Sequence, residues 1–204
     1  GKYLQPRFLL LVWLGLGALL LAFIVGNAMI PKGRPGAQGP QVARNLLTGE
    51  MRDFTPSFPP RGAPLARFQT PDGEATLADF RGQVVLVNLW ATWCAPCLEE
   101  LPSLNAMQAA LGGDDFTVVA IAAEPRAEDK ARRFFEQHGI DRLVLYSDPQ
   151  LDFATTLGGA ERLPLSVLYD SRGREIGRLE GGADWASPEA AALIEAVIRG
   201  EAIS

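Results

Sequence analysis

The sequence predicts an α/β fold with a central mixed sheet flanked by helices, in one domain with extra segments at its N-terminus. Residues 84–90 form an apolar run broken only by Asn88, which is typical of a strand buried on both faces. Helical and strand patterns alternate after it, as in partly parallel sheets. The chain of 204 residues has room for one such domain.

The elements around this strand follow from turn residues and periodicity. Thr70-Pro71-Asp72-Gly73 is a turn sequence between short extended segments at 65–69 and 75–77, so a hairpin is predicted there. Apolar residues recur at helical spacing in residues 96–111, until Gly112-Gly113 ends the pattern. Further strands are predicted at 116–123, 143–146, 165–169 and 175–180, and helices at 127–138, 151–157 and 188–199.

The N-terminal part contains a long uncharged stretch. Residues 8–30 include no charged side chain and, as a helix, are long enough to cross a hydrocarbon core of about 30 Å. A transmembrane anchor is therefore predicted for residues 1–30. A cleaved signal peptide is the alternative, since residues 26–28 could form a poor cleavage site. Basic residues flank the stretch on both sides, so charge does not fix its orientation.

Residues 31–60 are rich in proline and glycine and read as an extended linker. The predicted organisation is an anchor at 1–30, a linker at 31–60 and a folded domain at 61–204.

The charge is distributed unevenly along the chain. Residues 1–60 carry six Lys/Arg against two Asp/Glu, whereas residues 61–204 carry thirteen against twenty-two. An acidic domain lacks the clustered cations that nucleic-acid binding requires, so that class of function is excluded.

The chain has two cysteines, Cys94 and Cys97, and four interpretations of them compete. A zinc site would need two more ligands, and His138 is the single histidine. Haem attachment requires a histidine directly after the second cysteine, where Leu98 stands. A structural disulfide closing so short a loop would constrain the unfolded chain little. Reversible redox chemistry is favoured, with no metal and no cofactor beyond the Cys94–Cys97 disulfide.

The predicted position of the pair gives each cysteine a role. Cys94 lies where a buried strand ends and a helix begins, so the helix N-terminus lowers its thiol pKa and favours the attacking thiolate. Cys97 lies one turn further in and would resolve the mixed disulfide. Pro96 fits the first helical turn, where its missing N–H costs nothing.

Residues 90–97, with Trp93, Ala95 and Pro96 around the pair, resemble the active-site segment of thioredoxin-fold proteins. They are most similar to the membrane-anchored TlpA/ResA/CcmG group of extracytoplasmic reductases. The resemblance covers about residues 61–200 and implies a thioredoxin-like fold. Residues 163–168 match the segment before the last hairpin, which implies a cis peptide before Pro164 and substrate pairing by the Leu163 backbone. Residues 181–188 look closer to TlpA-like proteins than to the other two.

Two polar side chains near the pair, and two tryptophans, bear on the candidate site. Glu100 follows Cys97 by three positions and matches a glutamate near the dithiol of ResA-like reductases, so it is expected to exchange protons with Cys97. A solvated helix glutamate is the alternative. Asn88 stands where ordinary thioredoxins carry a buried acid that helps deprotonate the second cysteine. An amide cannot transfer that proton, so the general acid/base must come from elsewhere. Trp93 is expected to be a surface aromatic covering the dithiol and contacting partners, and Trp90 a core residue.

The resemblance implies a function and a location. A single-pass protein of a bacterial inner membrane, with its thioredoxin-like domain in the periplasm, would reduce disulfides of client proteins in copper-site assembly of cytochrome oxidase. A membrane thiol carrier of the DsbD/CcdA type would supply its electrons. The alternatives are reduction of apocytochrome c during cytochrome c maturation and, in a different class, a copper chaperone of the Sco type.

Overall fold

The centre of the sheet is a strand, β4 (Val84–Trp90), that is buried along its whole length. In this computed structural model, which describes residues 44–126 and 128–200, β4 pairs in parallel with β5 (Phe116–Ala122) and antiparallel with β7 (Leu165–Tyr169). Apolar side chains on both faces of β4 explain the continuous apolar run in the sequence. The mixed central sheet is thus confirmed.

Five other strands extend this sheet, and two predicted hairpins are present. The additional strands are β1 (Thr55–Pro56), β2 (Phe68–Thr70), β3 (Gly73–Ala75), β6 (Tyr146–Ser147) and β8 (Glu175–Glu180). β7 pairs antiparallel with β8, and β2 pairs antiparallel with β3. The order across the sheet is β1-β8-β7-β4-β5-β6-β2-β3.

Four α-helices cover the sheet in the described part of the chain. The first begins directly after the loop that follows β4, with Cys94 as its N-cap and Pro102 within it. The last begins at Ser187, whose hydroxyl accepts a hydrogen bond from the Ala190 N–H. The helices are α1 (Ala95–Leu111), α2 (Glu128–His138), α3 (Asp152–Leu157) and α4 (Pro188–Ile198).

The sheet divides the core into two layers, and β4 contributes to both by alternation. Leu86 and Trp90 pack with α1, α2 and α4 on one face, whereas Val87 and Leu89 pack with α3 on the other. Asn88 has the parity of Leu86 and Trp90, so its polar side chain points into the layer that contains α1. This alternation brings a buried amide next to the helix that carries both cysteines.

One predicted strand is misplaced. Residues 143–146 were expected to pair, but the strand is Tyr146–Ser147, which joins β5 at Ile121 and Ala122. Leu143 is instead buried in the core layer that contains α1. An apolar run indicates that its residues are buried. In residues 143–146 most of the burial comes from packing in the core, without strand pairing.

The described residues before residue 61 are part of the packed domain. Met51 and Phe54 are fully or almost fully buried in the core, and β1 adds to the edge of the sheet beside β8. This corrects the predicted linker of residues 31–60 over its second half, because the packed part of the chain begins before residue 61. The two core residues stand among prolines, glycines and polar residues, so no periodicity reveals them.

The predicted anchor at residues 1–30 and the first part of the predicted linker lie outside the described residues. Within residues 44–126 and 128–200, no helix is long and apolar enough to span a membrane.

Burial of Phe54 makes a testable contribution to stability. Phe54→Ala is expected to lower the free energy of unfolding by roughly 3 to 5 kcal/mol, since it removes a large buried side chain and leaves a cavity. Urea denaturation of the full chain measures this loss. Phe58→Ala is the matched control, because Phe58 is 62% exposed. Equal effects of the two substitutions would show that the segment does not stabilise the domain.

Candidate functional site

The two cysteines lie at the junction between β4 and α1, as the sequence predicts. Their sulfur atoms form a disulfide with Cα atoms 5.3 Å apart. The Cys94 carbonyl accepts the first hydrogen bond of α1, from the Leu98 N–H at 3.1 Å. Backbone N–H groups of the first turn of α1 therefore point towards this end of the helix, where they favour a thiolate at Cys94.

The pair is covered unequally. Cys97 is fully buried, whereas Cys94 retains 5% of its surface. Trp93 is 67% exposed beside it, and Ala95 and Pro96 are also exposed. A partner sulfur can therefore reach Cys94 more readily than Cys97, and three exposed residues lie next to Cys94 in the chain.

The Leu163–Pro164 peptide bond is cis, as the resemblance implied. It directly precedes β7, whose first residue, Leu165, pairs with Leu89 near the end of β4. Because β4 and β7 are antiparallel, the start of β7 and the end of β4 lie at the same edge of the sheet. Pro164 thus lies at the edge where the chain continues into Cys94.

Glu100 is buried rather than solvated, which rules out the alternative interpretation. It is 3% exposed, and its Oε1 and Oε2 atoms accept hydrogen bonds from Asn88 Nδ2 at 2.7 Å and the Ala183 N–H at 3.2 Å. Burial raises the pKa of Glu100 to about 7, against the opposing effect of these two donors and of the nearby Trp185 indole. Glu100 can therefore hold or release a proton near neutral pH.

Glu100 lies one helical turn from Cys97. Side chains three residues apart on a helix have Cβ atoms about 5 to 6 Å apart. Both side chains are buried in the layer between α1 and the sheet. The carboxyl group and the Cys97 sulfur therefore belong to neighbouring buried positions on the same side of α1.

A pocket of about 370 Å³ opens beside this carboxylate. It joins the surface near Pro96 to the interior near Glu100, and the loop after β8 forms one wall. Glu50 comes from the segment before β1, so that segment also contributes to the surroundings of the site. The lining residues are Glu50, Pro96, Glu99, Glu100, Ser103, Gly182, Ala183 and Asp184.

Sequence reasoning missed two polar contacts at the site. Ser166 accepts a hydrogen bond from Asn88 Nδ2 at 3.0 Å. Glu124, which follows β5, is buried and accepts a hydrogen bond from the Thr92 N–H at 2.7 Å. A polar residue just past the carboxyl end of a parallel strand is a signal that could have indicated Glu124, because such ends meet at one edge of the sheet.

His138 takes no part in this arrangement. It ends α2, where its ring stacks on Phe134 and its Nδ1 atom lies 3.0 Å from the Phe134 carbonyl oxygen. Among the described residues, no group of three or more histidine, cysteine or acidic side chains is placed to hold a metal ion.

A cysteine pair at this strand-to-helix junction, with a cis-proline at the same edge of the sheet, defines the class of thioredoxin-fold thiol-disulfide oxidoreductases. The family model named Redoxin matches residues 47–194, most of the chain. The chain therefore belongs to the Redoxin family.

Two curated relatives carry related names. Thiol-disulfide oxidoreductase ResA from Bacillus thuringiensis (strain Al Hakam) is 29% identical over 105 residues, which are 52% of this chain and 59% of ResA. Thiol:disulfide interchange protein HelX from Rhodobacter capsulatus is 32% identical over 122 residues, which are 58% of this chain and 66% of HelX. The match thus spans about three fifths of the length of ResA. The closer likeness to TlpA stays a prediction.

Solved structures support the same fold. A thiol:disulfide interchange protein of the DsbE type from Chlorobium tepidum matches with a TM-score of 0.60 and 28% identity, over 68% of this chain and 96% of that one. A DsbF homologue from Corynebacterium diphtheriae matches with a TM-score of 0.57 and 27% identity, over 72% and 90%.

Proposed function

We propose that this protein reduces disulfide bonds in client proteins. The observation that carries the proposal is the Cys94–Cys97 disulfide at the start of α1, with Glu100 buried one turn away. A dithiol needs an accessible attacking sulfur, a second sulfur to resolve the intermediate, and a group that takes up the second proton. Cys94, Cys97 and Glu100 supply these in order.

The reaction transfers two electrons from the dithiol to the client. The Cys94 thiolate attacks one client sulfur, the client S–S bond breaks, and the other client sulfur leaves as a thiolate. Glu100 then accepts the Cys97 proton, and the Cys97 thiolate attacks Cys94. The mixed disulfide breaks, the client leaves with both sulfurs reduced, and the Cys94–Cys97 disulfide forms.

The exposed residues around Cys94 are suited to hold such a client. Trp93, Ala95 and Pro96 offer an apolar surface beside the attacking sulfur. The cis peptide at Leu163–Pro164 lies at the same edge of the sheet, where the Leu163 backbone can pair with an extended client segment. These contacts would bind the backbone and apolar side chains next to the client disulfide.

The place of action and the clients are part of the proposal. Residues 8–30 anchor the chain in the inner membrane and hold the domain in the periplasm, where a membrane thiol carrier of the DsbD/CcdA type reduces it again. The uncharged length of this stretch supports the anchor. The clients are proteins of cytochrome oxidase copper-site assembly, and apocytochrome c is the alternative client.

The reduction potential tests the direction of electron flow. The full chain is equilibrated with glutathione or dithiothreitol buffers, and the fluorescence of Trp93, next to the pair, is followed together with free thiols. A midpoint below roughly −200 mV is expected of a reductant. A midpoint above about −150 mV would make the protein a disulfide donor. Absence of any reversible two-electron transition would refute the redox function itself.

A further inference from the structure

The buried amide of Asn88 is only partly satisfied. Its Nδ2 atom donates to Glu100 Oε1 at 2.7 Å and to Ser166 Oγ at 3.0 Å. Asn88 is fully buried, yet among the described residues no donor reaches its Oδ1 atom. Buried polar groups almost always have a partner, so an unpaired amide oxygen beside a titrating carboxyl group requires an explanation.

Both partners of this amide can reverse their hydrogen-bonding roles. A carboxylate only accepts hydrogen bonds, whereas a protonated carboxyl group can also donate one, and a serine hydroxyl does either by rotating. If the Asn88 amide turned by 180° about its Cβ–Cγ bond, Oδ1 would face Glu100 and Ser166 and accept from both. Each orientation makes two hydrogen bonds to these partners, and each leaves one polar group of the amide unpaired.

We infer that Asn88 is a positioning residue whose side-chain amide turns over when Glu100 gains or loses its proton, so that both forms of Glu100 are held by hydrogen bonds in one place. The inference rests on the proposed function in that Glu100 is taken as the proton acceptor of Cys97. The rotation of the Asn88 amide itself requires no client protein. A proton acceptor held in both forms can exchange its proton without moving away from the sulfur. The pKa of Glu100, about 7, means that both forms are populated near neutral pH.

Few other titratable groups near Asn88 could change its hydrogen bonds as pH changes. On this face, β4 contributes Asn88 and β7 contributes Ser166, and neither strand contains a charged residue. Cys94 and Cys97 are joined in the disulfide and do not titrate. The remaining acidic groups near Glu100 are exposed and line the pocket: Glu99 on α1, Glu50 in the segment before β1 and Asp184 in the loop after β8.

Nuclear magnetic resonance of the full chain tests the inference. The labelled protein is kept oxidised in mild detergent and titrated from about pH 5 to 9, a range centred on a pKa near neutrality. The Glu100 Cδ signal reports the proton, and the two Asn88 Hδ2 signals report the amide. Both hydrogens are bonded when Glu100 is ionised, and both lose these bonds after the turn. We expect both Hδ2 signals to move upfield together as pH falls, with the Glu100 midpoint.

Variants assign the response. Asn88→Asp removes the two Hδ2 signals and identifies them, and Glu100→Gln is expected to abolish their pH response. Glu99→Gln is the matched control and is expected to leave the response unchanged. A fixed amide that only senses charge would move the one hydrogen that faces Glu100 and leave the other in place.

The outcomes separate the inference from the proposed function. If Glu100 Cδ titrates while one or both Asn88 signals stay fixed, the inference is overturned and Glu100 keeps its proton role. If Glu100 Cδ does not titrate over this range, both the inference and the proton role of Glu100 are overturned. The redox titration of the cysteines decides disulfide exchange independently of either result.

Discussion

Cys94→Ser is expected to abolish reduction of a client disulfide completely, whereas Cys97→Ser is expected to stop the reaction halfway. Without Cys94 the accessible attacking sulfur is missing, since Cys97 is fully buried. Without Cys97 the first attack still occurs, but the mixed disulfide cannot be resolved. Non-reducing electrophoresis and mass spectrometry should show one trapped client per Cys97→Ser molecule and none for Cys94→Ser.

The control for folding is the reduced wild-type chain, because both variants lack the disulfide. Its loop is so short that losing it should change stability little, and urea denaturation checks that the three proteins match. A stable adduct with Cys94→Ser, and none with Cys97→Ser, would reverse the assigned roles. Adducts with both variants would show that burial does not distinguish the two sulfurs.

The parts of the fold that were predicted correctly depend on short-range patterns. β4 could be predicted from its apolar run, because both of its faces are covered. α1 could be predicted from the helical spacing of its apolar residues, which ends at Gly112. The cysteines lie between these two strong signals, so their position at the strand-to-helix junction could be predicted too. The cis peptide before Pro164 was implied by resemblance and not by any local pattern.

The remainder depends on contacts between distant residues. Asn88 meets Ser166, 78 residues away, and Glu100 meets the Ala183 N–H, 83 residues away. The first contact depends on the register between β4 and β7. The second contact depends on the path of the loop after β8. Periodicity does not give the pairing of strands or the path of a loop, so Glu100 was a candidate without a known environment. The burial of Phe54 was not predicted for the same reason, since its ring lies against Gly177 of β8, far along the chain.

The contribution of Glu100 to catalysis follows from its burial. The pKa of Glu100 is raised to about 7 because burial disfavours its charged form. Accepting the Cys97 proton requires the ionised form, so resolution of the mixed disulfide should become faster as pH rises through 7. The same burial means that the ionised form destabilises the fold. The stability contributed by the protonated form is fully present below pH 4.5 and is lost as pH rises from there to about 7. Glutamine at this position should therefore not unfold the protein.

Glu100→Gln is expected to slow resolution of the mixed disulfide by about a hundredfold at pH 8, a typical contribution of a general base. The rise in rate should move from about pH 7 to higher pH, because the Cys97 thiol must then lose its proton to solvent before the thiolate can attack. Rapid-quench single turnovers with a labelled client, from about pH 5 to 9, measure this step separately from the attack by Cys94. Glu99→Gln, at the exposed neighbouring position, is expected to retain the wild-type profile. An unchanged profile in Glu100→Gln would assign the proton transfer to another group.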